Sequence, residues 1–139
     1  MKKHLLILLL LLIISCNKKH TNQDISLLNG YWEISEVSFP NGQTKAYGVN
    51  TSIDYIKIDT LEGYLKKMKP GLDGQYTTTN STLYFSASQQ NDQWQLHFKG
   101  SQAQQLKIIE IDSNSYLAVN EHNIQYLYKR YIPINIPNE

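Results

Sequence analysis

Between Asp24 and Tyr131 no stretch of this chain sustains the 3.6-residue apolar period of a helix. What recurs is short runs of Val, Ile, Tyr, Phe, Trp and Thr, broken about every 8 to 12 residues by turn formers, the pattern of an all-β sandwich or barrel. The runs predict strands over about 31–39, 53–59, 63–68, 75–80, 82–88, 93–99, 105–112, 115–120 and 123–131. Pro40-Asn41-Gly42, Lys69-Pro70-Gly71, Asp73-Gly74, Gln90-Asn91-Asp92 and Asp112-Ser113-Asn114 supply the tight turns between them.

Two runs alternate cleanly. Leu83, Phe85 and Ala87 oppose Thr82, Tyr84 and Ser86, and Trp94, Leu96 and Phe98 oppose Gln95, His97 and Lys99. Each strand therefore turns one face to a core and the other to water. Elsewhere the phase slips: Ile34 and Val37 are an odd number apart, as are Ile108 and Ile109. Either a bulge restores the alternation at each place, which would help the sheet curl, or both faces are covered there. The one helical signal is Asp24-Ile25-Ser26-Leu27-Leu28-Asn29-Gly30, with Asp24 to cap it and Gly30 to end it. Pro133 and Pro137 stop a ladder from continuing, so 133–139 reads as an extended tail.

The first residues carry a different message. Met1-Lys2-Lys3-His4 is basic, and Leu5 to Ile14 is an unbroken apolar run. As a helix that run would span ~15 Å, about half of the ~30 Å hydrocarbon core of a bilayer. It fits a secretory signal rather than a spanning anchor. Ile13-Ile14-Ser15-Cys16 resembles the lipobox of bacterial lipoproteins, although Ile14 is bulkier than the residue usual there. The resemblance implies that residues 1–15 are removed and that Cys16 is lipidated, leaving 16–23 as a tether. Cys16 is the only cysteine, which excludes an intrachain disulfide. Some surface-exposed lipoproteins of Bacteroidota carry an acidic run at this point. Lys18-Lys19 is the opposite, and favours an outer-membrane anchor facing the periplasm.

Without residues 1–15, which hold Lys2 and Lys3, eleven basic residues face twelve acidic ones, a net charge of −1. No basic surplus exists to neutralise phosphates, so nucleic-acid binding is not indicated. The remaining length suits one domain.

Gly30-Tyr31-Trp32 opens the first long run, and Tyr126-Leu127-Tyr128-Lys129-Arg130 closes the last. Together with Ile53-Asp54-Tyr55-Ile56-Lys57-Ile58 and Pro70-Gly71-Leu72-Asp73-Gly74, they resemble the small lipocalin-like domains of Bacteroidota lipoproteins. The second lipocalin motif, of the Thr-Asp-Tyr type, has no clear counterpart. The resemblance implies a small up-and-down antiparallel β-barrel of about eight or nine strands over 24–132. It further implies that an arginine of the last strand, here Arg130, packs across the indole of Trp32. A barrel needs its first and last strands joined, and a cation over an indole contributes ~0.5–2 kcal/mol.

Catalytic patterns are poor. There is no phosphate-binding glycine loop, no Gly-x-Ser-x-Gly and no His-Glu-x-x-His. His97 and His122 read as surface groups, and Asp54, Asp59, Glu110 and Asp112 as carboxylates scattered at strand edges. No metal, cofactor or enzymatic role is expected. The ten tyrosines are the compositional anomaly. If Trp32 and Arg130 face inward, so do Tyr126 and Tyr128. With Leu83, Phe85, Trp94 and Phe98 they would form an apolar wall bearing a few hydroxyls, the lining of a small-molecule site. Two functions follow. Either an apolar ligand sits in the barrel, or the barrel is filled and the protein contacts an envelope protein or a glycan through exposed tyrosines and loop 40–52.

Overall fold

The computed structural model describes residues 24–100 and 103–133. A 3-10 turn, Ile25–Leu28, is capped by Asp24, whose carboxylate accepts from the Ser26 amide at 2.9 Å. Nine strands follow: β1 (Gly30–Ser38), β2 (Thr44–Ala46), β3 (Ile53–Asp59), β4 (Glu62–Pro70), β5 (Tyr76–Gln90), β6 (Gln93–Phe98), β7 (Gln105–Ile111), β8 (Ser115–Asn120) and β9 (Gln125–Arg130). All neighbours are antiparallel, and β1 also pairs with β9. Eight strands therefore close into an up-and-down barrel, with β2 added beside β1.

Three differences from the sequence-based strands have local causes. The runs predicted over 75–80 and 82–88 are one strand, β5, laddered to β4 on both sides of a bulge at residues 79–81. Strand β2 lies inside the predicted loop 40–52. Its three residues are all exposed, so no apolar alternation marks it. Gly30 does not end the turn but opens β1, at φ +120°. A Cβ at Gly30 would stand 2.8 Å from Nη1 of Arg130, so close approach and backbone conformation both require glycine.

Where the apolar phase slips, the register slips as well. Bulges fall between Ile34 and Glu36 opposite β9, and between Ile108 and Glu110 opposite β8. A third falls between Lys66 and Met68 opposite β5. Each bends its strand and adds the twist that closure needs. The β5–β6 hairpin turns on Asn91 and Asp92, both at positive φ, in the left-handed geometry favoured by two-residue loops.

The inward faces make one core. Trp32, Ile56, Ile58, Phe85, Leu96, Ile108 and Ala118 are all buried, and Ile25 and Leu28 of the 3-10 turn join the same cluster. Each such aliphatic or aromatic side chain contributes ~1.5–3 kcal/mol on burial. Asn29 ties the turn to the wall, its side-chain oxygen accepting from the Ile58 amide at 2.7 Å.

Candidate functional site

Trp32 is fully buried and sits at the meeting of β1, β9 and the 3-10 turn. Its indole Nε1 donates to the Leu28 carbonyl at 2.7 Å, and the Tyr116 ring meets it edge-on at 4.8 Å. The Arg130 guanidinium lies over the indole, 3.7 Å from its centroid. From there Arg130 donates to the carbonyls of Asn29 (2.8 Å), Leu27 (3.1 Å) and Ser113 (3.0 Å). One side chain thus ties the turn, β1, β9 and the β7–β8 loop together.

Beyond this clasp the inner wall becomes polar. Asp54 pairs in register with Trp32 on one side and with Lys67 on the other, so all three face the interior. Asp54 is 2% exposed, and it is a buried carboxylate rather than one at a strand edge. The Lys67 ammonium stands 2.5 Å from its Oδ1. Lys67 is itself half exposed, so the pair joins a buried anion to a cation that reaches water.

Asp54, Lys67, Trp32, Ile34 and Tyr128 line a cavity of about 330 Å³, bordered on the other side by Tyr47 and residues 49–52 of the β2–β3 connection. The Asn50 amide pins that connection, donating to the Ile34 carbonyl at 2.9 Å. Residues from the predicted loop 40–52 therefore form part of this cavity's border.

The six residues proposed from the sequence for a ligand wall occupy different places. Tyr128 borders the cavity and stacks on Tyr116 at 4.6 Å. Phe85 and Phe98 are buried in the core, 5.4 Å apart. Leu83 and Trp94 pack against that core half-buried. Tyr126 accepts from the Asn120 side-chain amide at 3.1 Å. Sequence reasoning missed Asp54 and Lys67. The available signal was that Asp54 keeps the phase of the inward Ile56 and Ile58.

His97 bonds Ser88 at 2.9 Å on the outer wall, away from the cavity. Among the described residues no group of three His, Cys, Asp or Glu could hold a metal ion.

Tyr116 and Tyr128 have pKa values pushed above the ordinary range, chiefly by burial. For Tyr116 the neighbouring Tyr128 and Asp54 add to this, and for Tyr128 Asp54 and Tyr126 do. An unfolded tyrosine ionises near pH ~10, whereas these two keep their protons. Stability is thus fully present below that pH and falls as pH rises past it. Melting temperature measured from pH 8 to 12 is expected to drop above ~10, and the drop should be shallower in the Tyr116→Phe/Tyr128→Phe variant. Equal slopes in the two proteins would contradict the assignment.

No family model matches this chain, and no curated protein does. Solved structures do. A lipocalin-like protein from Bacteroides uniformis superposes with a TM-score of 0.48 at 11% identity, over 76% of this chain and 99% of that one. Apocrustacyanin C1 gives 0.47 at 11% identity, over 78% of this chain and 63% of its own. Lobster apocrustacyanin A1 gives 0.47 at 12% identity, over the same shares.

Proposed function

We propose that the protein is a lipid-anchored, non-catalytic carrier of one small, mostly apolar molecule that bears a hydrogen-bond donor. Asp54 carries this reading. Asp54 is buried while its partner Lys67 is half exposed. A carboxylate taken out of water costs more than such a pair returns, so its presence beside a cavity calls for another role. Small-molecule sites are mostly apolar with a few placed polar groups that fix orientation. Here Ile34 and Val49 give apolar surface over the buried Trp32, while Asp54, Lys67 and Tyr128 give the polar one. A hydroxyl or amine on the ligand would pair with the polar group that Asp54, Lys67 and Tyr128 form at the cavity wall. An eight-stranded barrel fills with its own side chains or holds one small ligand; here the cavity adjoins the packed core.

The test uses the chain from residue 24 onward and paired fluorescent apolar probes, one with a free alcohol and the other its methyl ether. The alcohol should bind more tightly. Asp54→Ala should cut its affinity roughly tenfold, the loss of one hydrogen bond to a charged group, and leave the ether's nearly unchanged. Equal affinities for both probes in both proteins would remove Asp54 from recognition.

The anchor belongs to the same proposal, although Cys16 and the segments 1–15, 16–23 and 134–139 lie outside the described residues. Acylation of Cys16 would hold the barrel on the inner face of the outer membrane, because two or more acyl chains give stable attachment. Cys16→Ser should abolish incorporation of radioactive palmitate and move the protein to the soluble fraction. Continued labelling would refute lipidation at Cys16.

A further inference from the structure

The outer wall carries a second feature, separate from the cavity. Tyr31, Tyr55, Tyr64 and Tyr84 each sit one residue out of phase with a buried neighbour, Trp32, Ile56, Leu65 and Phe85, and so point outward. They stand on four adjacent strands, β1, β3, β4 and β5, and their rings touch in sequence at 4.8, 6.2 and 6.3 Å. At one end the row is closed off, because Tyr76 stacks on Tyr31 at 4.7 Å and 13°. At the other it is open. Tyr84 is 59% exposed and meets Tyr64 at 65°, so the two rings form an angled trough.

Charged groups rim that trough. Lys57, Asp59, Glu62 and Lys99 join Tyr64 and Tyr84 around an open depression of about 550 Å³. Lys99 and Glu62 are already paired at 2.6 Å. The lining itself has two cations and two anions. Lys66 lies over the Tyr64 ring at 5.3 Å, which leaves Tyr84 as the open face. One cation of excess gives only a weak pull on an acidic polymer. The lining offers donors and acceptors side by side, which suits groups that both give and take hydrogen bonds. The rings offer flat apolar faces whose edges and faces differ in charge. One ligand class has both properties: a pyranose presents an apolar C–H face and a rim of hydroxyls.

We propose that the Tyr64–Tyr84 trough binds a neutral oligosaccharide, with a sugar face on the exposed Tyr84 ring and hydroxyls bridging Lys57, Asp59, Glu62 and Lys99. The row of tyrosines continues the platform across neighbouring strands.

The experiment uses the full chain, purified in a sugar-free zwitterionic detergent, and isothermal titration with cellohexaose, maltohexaose and xylohexaose. Polygalacturonate serves as the anionic comparison. At least one neutral hexasaccharide should bind, and more tightly than polygalacturonate. Tyr84→Ala should weaken it roughly tenfold, the scale of one lost ring contact, while Tyr84→Phe should keep most of the affinity. Asp54→Ala should leave it unchanged, which separates this site from the barrel cavity. Tyr84 is exposed, and an unchanged melting temperature in each variant would show that folding is intact. Failure of all three hexasaccharides to bind, tighter binding of polygalacturonate, or equal losses in Tyr84→Ala and Tyr84→Phe would each overturn the proposal.

Discussion

Replacing Trp32 with alanine is expected to cost ~3–5 kcal/mol of stability, lowering the melting temperature by on the order of 15 °C or more for a domain of this size. Three losses combine. A fully buried indole leaves a space that β1 and β9 cannot close, because both are held in the barrel ladder. The Leu28 carbonyl loses its donor inside the protein, and an unmet buried acceptor costs ~1–3 kcal/mol. The Arg130 guanidinium also loses the ring beneath it. Trp32→Phe keeps a ring but not the donor, and should fall between. Denaturant unfolding followed by circular dichroism measures both. A loss below about 1 kcal/mol for the alanine variant would place the ring outside the energetic core.

Arg130 is the second large effect, through geometry more than charge. Its guanidinium donates to three carbonyls from two segments, the 3-10 turn with its cap and the β7–β8 loop, while lying over the indole. Arg130→Ala should cost about 2–4 kcal/mol, on the scale of charged hydrogen bonds partly open to water. Arg130→Lys keeps the charge but cannot fork to carbonyls from the 3-10 turn and the β7–β8 loop together. It should recover less than half of that loss. In a double-mutant cycle with Trp32→Leu, Arg130→Met should show a coupling of ~0.5–2 kcal/mol. Full rescue by lysine, or strict additivity in the cycle, would mean that the stacked contact contributes little.

How much was legible differs between the fold and the site. The alternation at Leu83-Phe85-Ala87 and Trp94-Leu96-Phe98 is visible because one face of a barrel strand meets oil and the other water. Phe85, Ala87, Leu96 and Phe98 are indeed buried. The slipped phases at Ile34–Val37 and Ile108–Ile109 fall at bulges for the same reason: an inward side must be recovered after an extra residue. Strand β2 and the joining of two runs into β5 were not legible. Backbone pairing holds β2 and both sides of the β5 bulge, and pairing leaves no mark on side-chain hydropathy. The cavity was hidden by the same logic working in reverse. Asp54 and Lys67 are inward on β3 and β4, where a rule that puts charges outside assigns them to the surface. Only register, which places Asp54 between Trp32 and Lys67, brings them together.

The most direct measurement follows from where the two tryptophans lie. The chain has only two, and Trp32 borders the cavity. In a Trp94→Phe variant of residues 24–139, Trp32 is therefore the sole indole reporter. Titration with the alcohol-bearing apolar probe should quench Trp32 emission with the same Kd as the probe's own fluorescence change, and Asp54→Ala should shift both curves together. Binding that leaves Trp32 emission untouched would put the ligand elsewhere. No binding at all would contradict the carrier reading outright.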